Sequence, residues 1–345
     1  MIERKFCARK CATSINKSNR YFLSLHRQKL WCIVTLVQLE YILALDTYRN
    51  FSSAAEKCFV TQPTLSMQVQ KLEEELDIKI FDRSKKPLIA TELGREIIDL
   101  ARSVLSGTKA ISDLVSERKG EIKGELHIGI IPTLAPYLLP LFLKKFLKKY
   151  EEINLTVVEL TTERIIEQLK RNVIDAAILV TPLEYTSLKV TPLFYEEFIL
   201  YSAKSSNVQK IKEVSVGEID VDKLWLLEEG HCFRSQIINL CDLQKISQEG
   251  KRFHYEAGSL ETLIRMVDQN QGITILPELA MTELGASQKG STRRFKSPVP
   301  VREVSLVTHR DFVKKRLIEA LRDSIIDFIP DRLMTKKKKR VISID

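Results

Sequence analysis

Apolar residues recur at helical spacing through residues 36–76 and predict three short helices. The second helix has Ser52 or Ser53 as its expected cap. The third follows Thr61, with Pro63 in its first turn, where a missing N–H is tolerated. This third helix is expected to bury one face, formed by Leu65, Val69, Leu72 and Leu76.

The pattern beyond these helices predicts a hairpin and then a long helix. Residues 82–87 are polar and lie between two short apolar runs, which is typical of the wing of a winged helix-turn-helix. The long helix runs from Thr91 to about Arg118. Its small and apolar residues alternate in steps of four and three, so we expect it to pair with a second copy. A single helix packed on its own domain is the alternative. The repeating positions are Ile97, Ala101, Val104, Thr108, Ile111 and Val115.

After residue 124 short strands alternate with helices, which is typical of an α/β domain built on a parallel sheet. One predicted strand is Phe253–Tyr255. We expect two subdomains with a cleft between them, where a small molecule could bind. The predicted divisions are a basic leader (1–33), a winged helix-turn-helix domain (34–92), a linker helix (93–120), a regulatory domain (121–330) and a basic tail (331–345). Within the regulatory domain, subdomain I is predicted at about 124–194 and 302–330, and subdomain II at about 195–301.

The net charge of +9 is concentrated at the two ends of the chain. Residues 1–35 contribute +7 and residues 331–345 contribute +4, which leaves −2 for the rest. DNA binding must therefore come from a local face rather than from the overall charge. The leader is interpreted as disordered or wrongly included, with a transit peptide as the alternative. The tail is interpreted as a solvated, flexible end.

Several classes of protein are disfavoured by what the sequence lacks. No run of 18 apolar residues occurs, so no membrane-spanning helix is expected. Six cysteines are too few for a secreted disulfide scaffold, and we expect a cytoplasmic protein with reduced thiols. Nucleotide-binding and metalloprotease motifs are absent, so no cofactor, metal or catalytic residue is predicted.

The third helix carries the side chains expected to read DNA. Its amino-terminal half is rich in amides and hydroxyls, which can bond to base edges in the major groove. Arg83, Lys85 and Lys86 in the wing can bind phosphates without reading sequence. Helical spacing alone fits a three-helix core with a solvated face equally well.

Four segments resemble the LysR family of bacterial regulators: FSSAAEKCFVTQPTLS (51–66), KLEEEL (71–76), IFDR (80–83) and TELG (91–94). The resemblance implies a homodimer or homotetramer and a two-lobed effector domain like a periplasmic binding protein. It also implies binding to double-stranded promoter DNA and contact with RNA polymerase. The residues implied to face DNA are Gln62, Pro63, Thr64, Ser66 and Gln68, with Arg83 supporting from the wing.

Two cysteines in the second half suggest redox chemistry. Cys232 lies at the predicted start of a helix, which together with His231 and Arg234 would favour the thiolate. A thiolate attacks peroxide to give a sulfenic acid, which Cys241 could resolve as a disulfide. Nine helical residues span ~13.5 Å. A disulfide needs Cα atoms within about 7 Å, so oxidation would have to unwind the helix.

Interpretations of these residues without redox chemistry remain open. Cys232 and Cys241 could be unrelated core cysteines, with His231 as an ordinary loop residue. A metal site built from these three residues is disfavoured, since adjacent residues rarely share a tetrahedral site. Cys58 is interpreted as a small buried hydrophobe.

Further segments resemble the OxyR branch of the LysR family: IIPT (130–133), GHCFR (230–234), SLETL (259–263) and GITILP (272–277). The resemblance implies hydrogen peroxide as the signal, Cys232 as the peroxidatic thiol and Cys241 as the resolving thiol. It implies a thiol reductant such as glutaredoxin or thioredoxin. It also implies a basic contact near residues 304–310, which the sequence does not place. The residues implied to bind or polarise peroxide are Thr133, Thr162, His231 and Arg234.

The prediction is therefore a regulator, not an enzyme, that senses hydrogen peroxide through a Cys232–Cys241 disulfide. The first alternative is a LysR-type regulator that binds a small organic ligand in the cleft between the subdomains. A thiol peroxidase is the second alternative, and the winged helix argues against it.

Overall fold

The computed structural model describes residues 34–183, 185–203, 212–242, 257–270, 272–310 and 312–344. The basic leader and the predicted strand Phe253–Tyr255 lie outside these ranges. The chain divides into two compact units, one ending at Leu105 and the other beginning at Ser106.

The first unit holds three helices and a hairpin around a small apolar core. The helices are α1 (Leu36–Tyr48), α2 (Phe51–Lys57) and α3 (Gln62–Leu76), and the hairpin pairs β1 (Phe81–Asp82) with β2 (Ile89–Ala90) in antiparallel fashion. Helix α4 (Glu92–Lys119) begins in this unit and continues into the second. The predicted winged helix-turn-helix and long helix are confirmed.

Helix caps in this unit follow local chemistry, with one correction. Asn50 caps α2, because its side-chain oxygen accepts the N–H groups of Ser52 and Ser53 at 2.8 and 3.1 Å. The prediction that Ser52 or Ser53 is the cap was wrong, since both already lie in the first helical turn. Thr61 caps α3 as predicted, with Pro63 in the first turn.

The second unit contains the remaining helices and strands. Its helices are α5 (Ala135–Lys149), α6 (Thr162–Lys170), α7 (Cys232–Leu240), α8 (Leu260–Asn270), α9 (Ala286–Lys289), α10 (Lys315–Ile326) and α11 (Asp331–Met334). Its strands are β3 (Gly124–Ile130), β4 (Ile153–Glu159), β5 (Ala176–Thr181), β6 (Leu188–Ser202), β7 (Glu213–Val214), β8 (Ile273–Pro277), β9 (Thr292–Phe295), β10 (Val299–His309) and β11 (Lys339–Val341).

The sheet is mixed rather than parallel throughout. Its strand order is β4-β3-β5-β10-β6-β9-β7, with β8 beside β6 and β11 beside β10. Strand β3 is parallel to β4 and β5, as predicted. Strand β10 comes from far along the chain and runs antiparallel between β5 and β6, which the alternation of strands and helices did not reveal.

The long strands β6 and β10 connect two lobes of this unit. Strand β6 pairs with β10 over Leu188–Glu197 and then with β8 and β9 over Phe198–Ser202. We call the part built on β3, β4 and β5 lobe I, and the part built on β7, β8 and β9 lobe II. The predicted subdomain divisions fall inside β6 and β10.

The carboxy-terminal segment corrects the prediction of a solvated, flexible tail. Residues 331–344 form α11 and β11, and β11 runs parallel to β10 at Val299–Val301. Leu333 and Ile342 are buried. These apolar side chains and the strand hydrogen bonds dock the segment despite its run of lysines. No helix within the described ranges is long and apolar enough to span a membrane.

Candidate redox site and DNA-binding element

The recognition helix α3 presents the predicted DNA-facing residues away from the core. Leu65, Val69 and Leu72 are fully buried, whereas Leu76 is only partly buried. Along the other side of the helix, Gln62 and Pro63 are exposed, and Thr64, Ser66 and Gln68 are half-buried. The amide and hydroxyl groups at the start of α3 therefore remain accessible.

Arg83 joins the wing to the recognition helix. Its guanidinium donates to Glu73 at 3.1 Å and lies 5.3 Å from the centre of the Phe51 ring. The buried Glu73 carboxylate also accepts the N–H groups of Ile80 and Phe81, at 2.9 and 3.2 Å. Arg83 thus has a structural role within this unit in addition to the DNA contact that the resemblance implies.

Helix α7 begins at Cys232 and ends just before Cys241, so the two cysteines occupy its opposite ends. His231 is the cap residue before the helix, and Cys241 is the cap residue after it. Both thiols are free. Because a helix rises ~1.5 Å per residue, the Cα atoms lie ~13.5 Å apart, too far for a disulfide. The predicted helix is confirmed.

A cavity of about 370 Å³ lies between the two lobes beside Cys232. Thr162 and Cys232 are each the first residue of a helix, so the positive ends of α6 and α7 both meet this cavity. The Thr162 hydroxyl is buried and has no hydrogen-bond partner within the described part of the chain. The other lining residues are Glu163, Ile166, Leu183, Tyr185, Gly230, His231, Ser235 and Ile344.

Burial raises the pKa of the Cys232 thiol above its ordinary value. The Thr162 hydroxyl makes no hydrogen bond to the described residues at rest but is placed to donate to a thiolate at Cys232. Together with the Arg302 guanidinium and the Phe233 N–H it favours ionisation, without offsetting the loss of hydration. Burial also raises the pKa of Cys241 to about 11. The N–H groups at the start of α7 favour the thiolate, but the loss of hydration outweighs their contribution.

Two residues predicted near the thiol have different surroundings. His231 lines the cavity, and its Nε2 lies 3.5 Å from Oε1 of Glu228. Arg234 is not among the cavity-lining residues, because its Nη1 donates to the carbonyl oxygen of Leu227 at 2.7 Å. The structure brings His231 to the cavity and holds Arg234 against the backbone.

A buried arginine contacts α7 and both lobes. Arg302 donates to the hydroxyl of Thr133 at 2.9 Å and to Glu196 at 2.8 Å, and its guanidinium lies 5.0 Å from the centre of the Phe233 ring. Glu196 in turn accepts the N–H of Leu279 at 2.8 Å. Burial raises the pKa of Glu196, while Arg302 and this N–H oppose the shift.

Comparisons with known proteins agree with this geometry. Residues 36–95 match the bacterial regulatory helix-turn-helix of the LysR family, and residues 119–329 match the LysR substrate-binding domain. The chain belongs to the LysR family of transcriptional regulators.

Relatives within the LysR family include hydrogen peroxide-inducible genes activators and OxyR proteins. A Haemophilus influenzae hydrogen peroxide-inducible genes activator is 34% identical over 269 residues, covering 78% of this chain and 88% of the relative. The Escherichia coli DNA-binding transcriptional dual regulator OxyR is 35% identical over 243 residues, covering 70% and 79%. Full-length Pseudomonas aeruginosa OxyR with a cysteine-to-aspartate substitution superposes with a TM-score of 0.70 at 32% identity, covering 85% of this chain and 97% of that one.

Sequence reasoning missed Arg302 as a residue of this LysR-type site. The basic contact implied near residues 304–310 was not placed. His309 ends β10 and Arg310 follows it, and both line a different pocket. Arg302 lies earlier on the strand and is buried beside Phe233. The available signal was a charged pair, Arg302–Glu303, inside the apolar run of residues 299–307.

The linker helix of this LysR-type chain carries an exposed apolar stripe. Val104, Ile111 and Val115, three of the predicted heptad positions, are between 48% and 68% exposed. Leu100 and Leu114 are also exposed, whereas Ala101 is buried within its own unit. From Leu100 to Val115 the helix thus carries apolar surface that the described part of the chain leaves uncovered.

Proposed function

We propose that this chain is a transcriptional regulator that senses hydrogen peroxide through Cys232. The observation that carries the proposal is a thiol at the first residue of a helix, on a cavity where the Thr162 hydroxyl has no partner among the described residues. A peroxide oxygen bound there can accept the Thr162 hydroxyl proton. The second thiol, Cys241, lies at the other end of the same helix.

The chemistry balances with peroxide as the oxidant. The Cys232 thiol gives up its proton, and its sulfur attacks one peroxide oxygen, so that an S–O bond forms and the O–O bond breaks. The departing oxygen takes up a proton and leaves as water. Cys241 sulfur then attacks the Cys232 sulfenic acid, an S–S bond forms, and the second oxygen leaves as water. Two thiols and one peroxide give one disulfide and two waters.

His231 is the residue we assign to move the proton. It lines the cavity beside the thiol, and Glu228 lies close enough to stabilise the imidazolium that results. Because burial raises the pKa of Cys232, the thiol has to lose its proton during the reaction rather than before it. The peroxide and the thiol therefore have to meet beside His231.

Disulfide formation would refold α7 and could change how copies of the chain assemble on DNA. The Cα atoms of Cys232 and Cys241 must approach from ~13.5 Å to within about 7 Å, so the helix cannot persist intact. We propose that the chain acts as a homodimer or homotetramer joined through the apolar stripe of α4. The refolded form would present a different surface to RNA polymerase, and a glutaredoxin or thioredoxin would restore the thiols.

The decisive experiment combines disulfide mapping with transcription from a target promoter. One equivalent of hydrogen peroxide should produce a Cys232–Cys241 disulfide in the full-length protein and activate transcription. Cys232→Ser should abolish both effects, and Cys241→Ser should stop at a sulfenic acid that dimedone traps. Cys58→Ser, in the DNA-binding unit, is the matched control and should respond normally. An unchanged response of Cys232→Ser in cells would contradict the proposal.

The cavity volume favours one second candidate, a regulator of the same family that binds a small organic ligand. About 370 Å³ is more than a peroxide molecule requires and lies in the range of small-molecule pockets. This candidate predicts that a ligand raises the melting temperature of Cys232→Ser as much as that of the wild type. Loss of all signalling in Cys232→Ser would contradict it.

A further inference from the structure

The carboxy-terminal segment, residues 331–344, is anchored to the second unit at several points. Its strand β11 bonds to β10, with Val299 N–H donating to Lys338 at 3.1 Å and Ile342 N–H donating to Val301 at 2.9 Å. Leu333 is fully buried. These contacts hold the segment as part of the folded unit, so we call it the strap.

The strap also contacts the helix that joins the two cysteines. The Gln236 amide is fully buried and donates to the carbonyl oxygen of Ile342 at 2.7 Å. Asn239, one turn further along α7, donates to the carbonyl oxygen of Ser343 at 3.2 Å. Ile344 lines the cavity beside Cys232. The strap therefore binds α7 between its two cysteines and closes part of the thiol cavity.

The other hydrogen-bonding group of Gln236 makes the strap contact more important. Its side-chain oxygen is buried and has no partner within the described ranges. Among the described residues, this buried amide is therefore held through its bond to Ile342. A buried amide that loses its partner is costly, so α7 and the strap stabilise each other.

We propose that the strap holds α7 in its helical, reduced form and detaches from it when the Cys232–Cys241 disulfide forms. The inference rests on the proposed disulfide. Bringing the cysteines together has to unwind residues 233–240. Gln236 and Asn239 lie in the middle of that stretch, so their bonds to Ile342 and Ser343 cannot survive the rearrangement. The strap thus opposes formation of the disulfide, and its release from α7 indicates that the disulfide has formed.

Hydrogen exchange of the full-length wild type tests the detachment without any substitution. Peptides covering residues 336–344 are compared before and after oxidation by one equivalent of hydrogen peroxide, with disulfide mapping on the same samples. We expect the amides of residues 342–344, the end of the strap that α7 holds through Gln236 and Asn239, to exchange at least tenfold faster in the disulfide form. If the disulfide forms but hydrogen exchange in the strap is unchanged, the strap proposal is wrong and the proposed function is unaffected. Absence of the disulfide would overturn the proposed function and the strap with it.

Substitutions test whether the strap opposes oxidation. Gln236→Leu keeps the volume but removes the donor to Ile342, and disulfide formation should become about fivefold faster, the factor that one typical hydrogen bond represents. Asn239→Ala should act in the same direction. Asn270→Ala is the control, because Asn270 lies at the end of α8 and donates to Met266 within its own helix. Equal rates in Gln236→Leu, Asn239→Ala and wild type would contradict the inference.

Discussion

The buried pair between Arg302 and Glu196 allows a quantitative test of what holds the redox site together. Both side chains are at most 1% exposed, and Glu196 accepts one bond from Arg302 and another from the Leu279 backbone. Glu196→Leu leaves the guanidinium charged and without its carboxylate. Removing one partner of a buried pair costs about 3–5 kcal/mol. For a unit of this size that corresponds to a loss of about 6–20 °C in melting temperature.

The two single variants should not be equivalent. Burial raises the pKa of Glu196, so in Arg302→Met this carboxyl can take up a proton and become neutral. Arginine cannot lose its charge, so Glu196→Leu should be the more damaging variant. The destabilisation by Arg302→Met should also shrink as the pH falls, because a protonated Glu196 no longer needs a cation. The double variant should recover much of the lost stability, because the buried charges are removed together.

Thermal unfolding followed by circular dichroism, at pH 5 and pH 8, measures these differences. Asp220→Ala is a suitable control, because Asp220 pairs with Lys223 at 2.6 Å on the surface, where such pairs contribute at most about 1 kcal/mol. A loss below about 2 °C in Glu196→Leu would refute the reasoning. Equal losses in both single variants at pH 5 would refute the argument from protonation.

Three further predictions concern the thiol, the cavity and the wing. The rate of Cys232 oxidation, followed by stopped flow, should rise as the pH increases from 6 to 8, because burial raises the pKa of this thiol and a base has to take up its proton during the reaction; a flat profile would contradict this. Thr162→Val should slow oxidation about tenfold with little change in melting temperature, whereas Thr162→Ser should react normally. Glu73→Leu should destabilise the DNA-binding unit by about 3 kcal/mol, because it removes the hydrogen bonds to Ile80, Phe81 and Arg83. It should also weaken DNA binding measured by fluorescence anisotropy, and an affinity equal to that of the wild type would contradict this prediction.

Local chemistry was sufficient wherever a helix depends on its own residues. The start of α3 follows from the Thr61 cap and from Pro63 in the first turn, which act within a few positions. The family followed from motifs in the same segments. The cap of α2 was misassigned because Asn50, Ser52 and Ser53 are all good cap residues within three positions, and only the backbone angles distinguish them.

Long-range packing decided the rest. The sequence placed Cys232 at a helix start, where the dipole favours a thiolate, but the burial that raises its pKa comes from the residues packed around it in the folded unit. Arg302 lies 70 positions from Cys232, so nothing local connects it with the site. Likewise, the basic composition of residues 331–344 predicted a solvated end, yet Ile342 and Leu333 are buried in the apolar core of the second unit. The sequence by itself determined the winged helix-turn-helix, the long helix and the family. Only the tertiary structure decided the hydration of the thiols, their neighbours and the docking of residues 331–344, because those depend on contacts between distant parts of the chain.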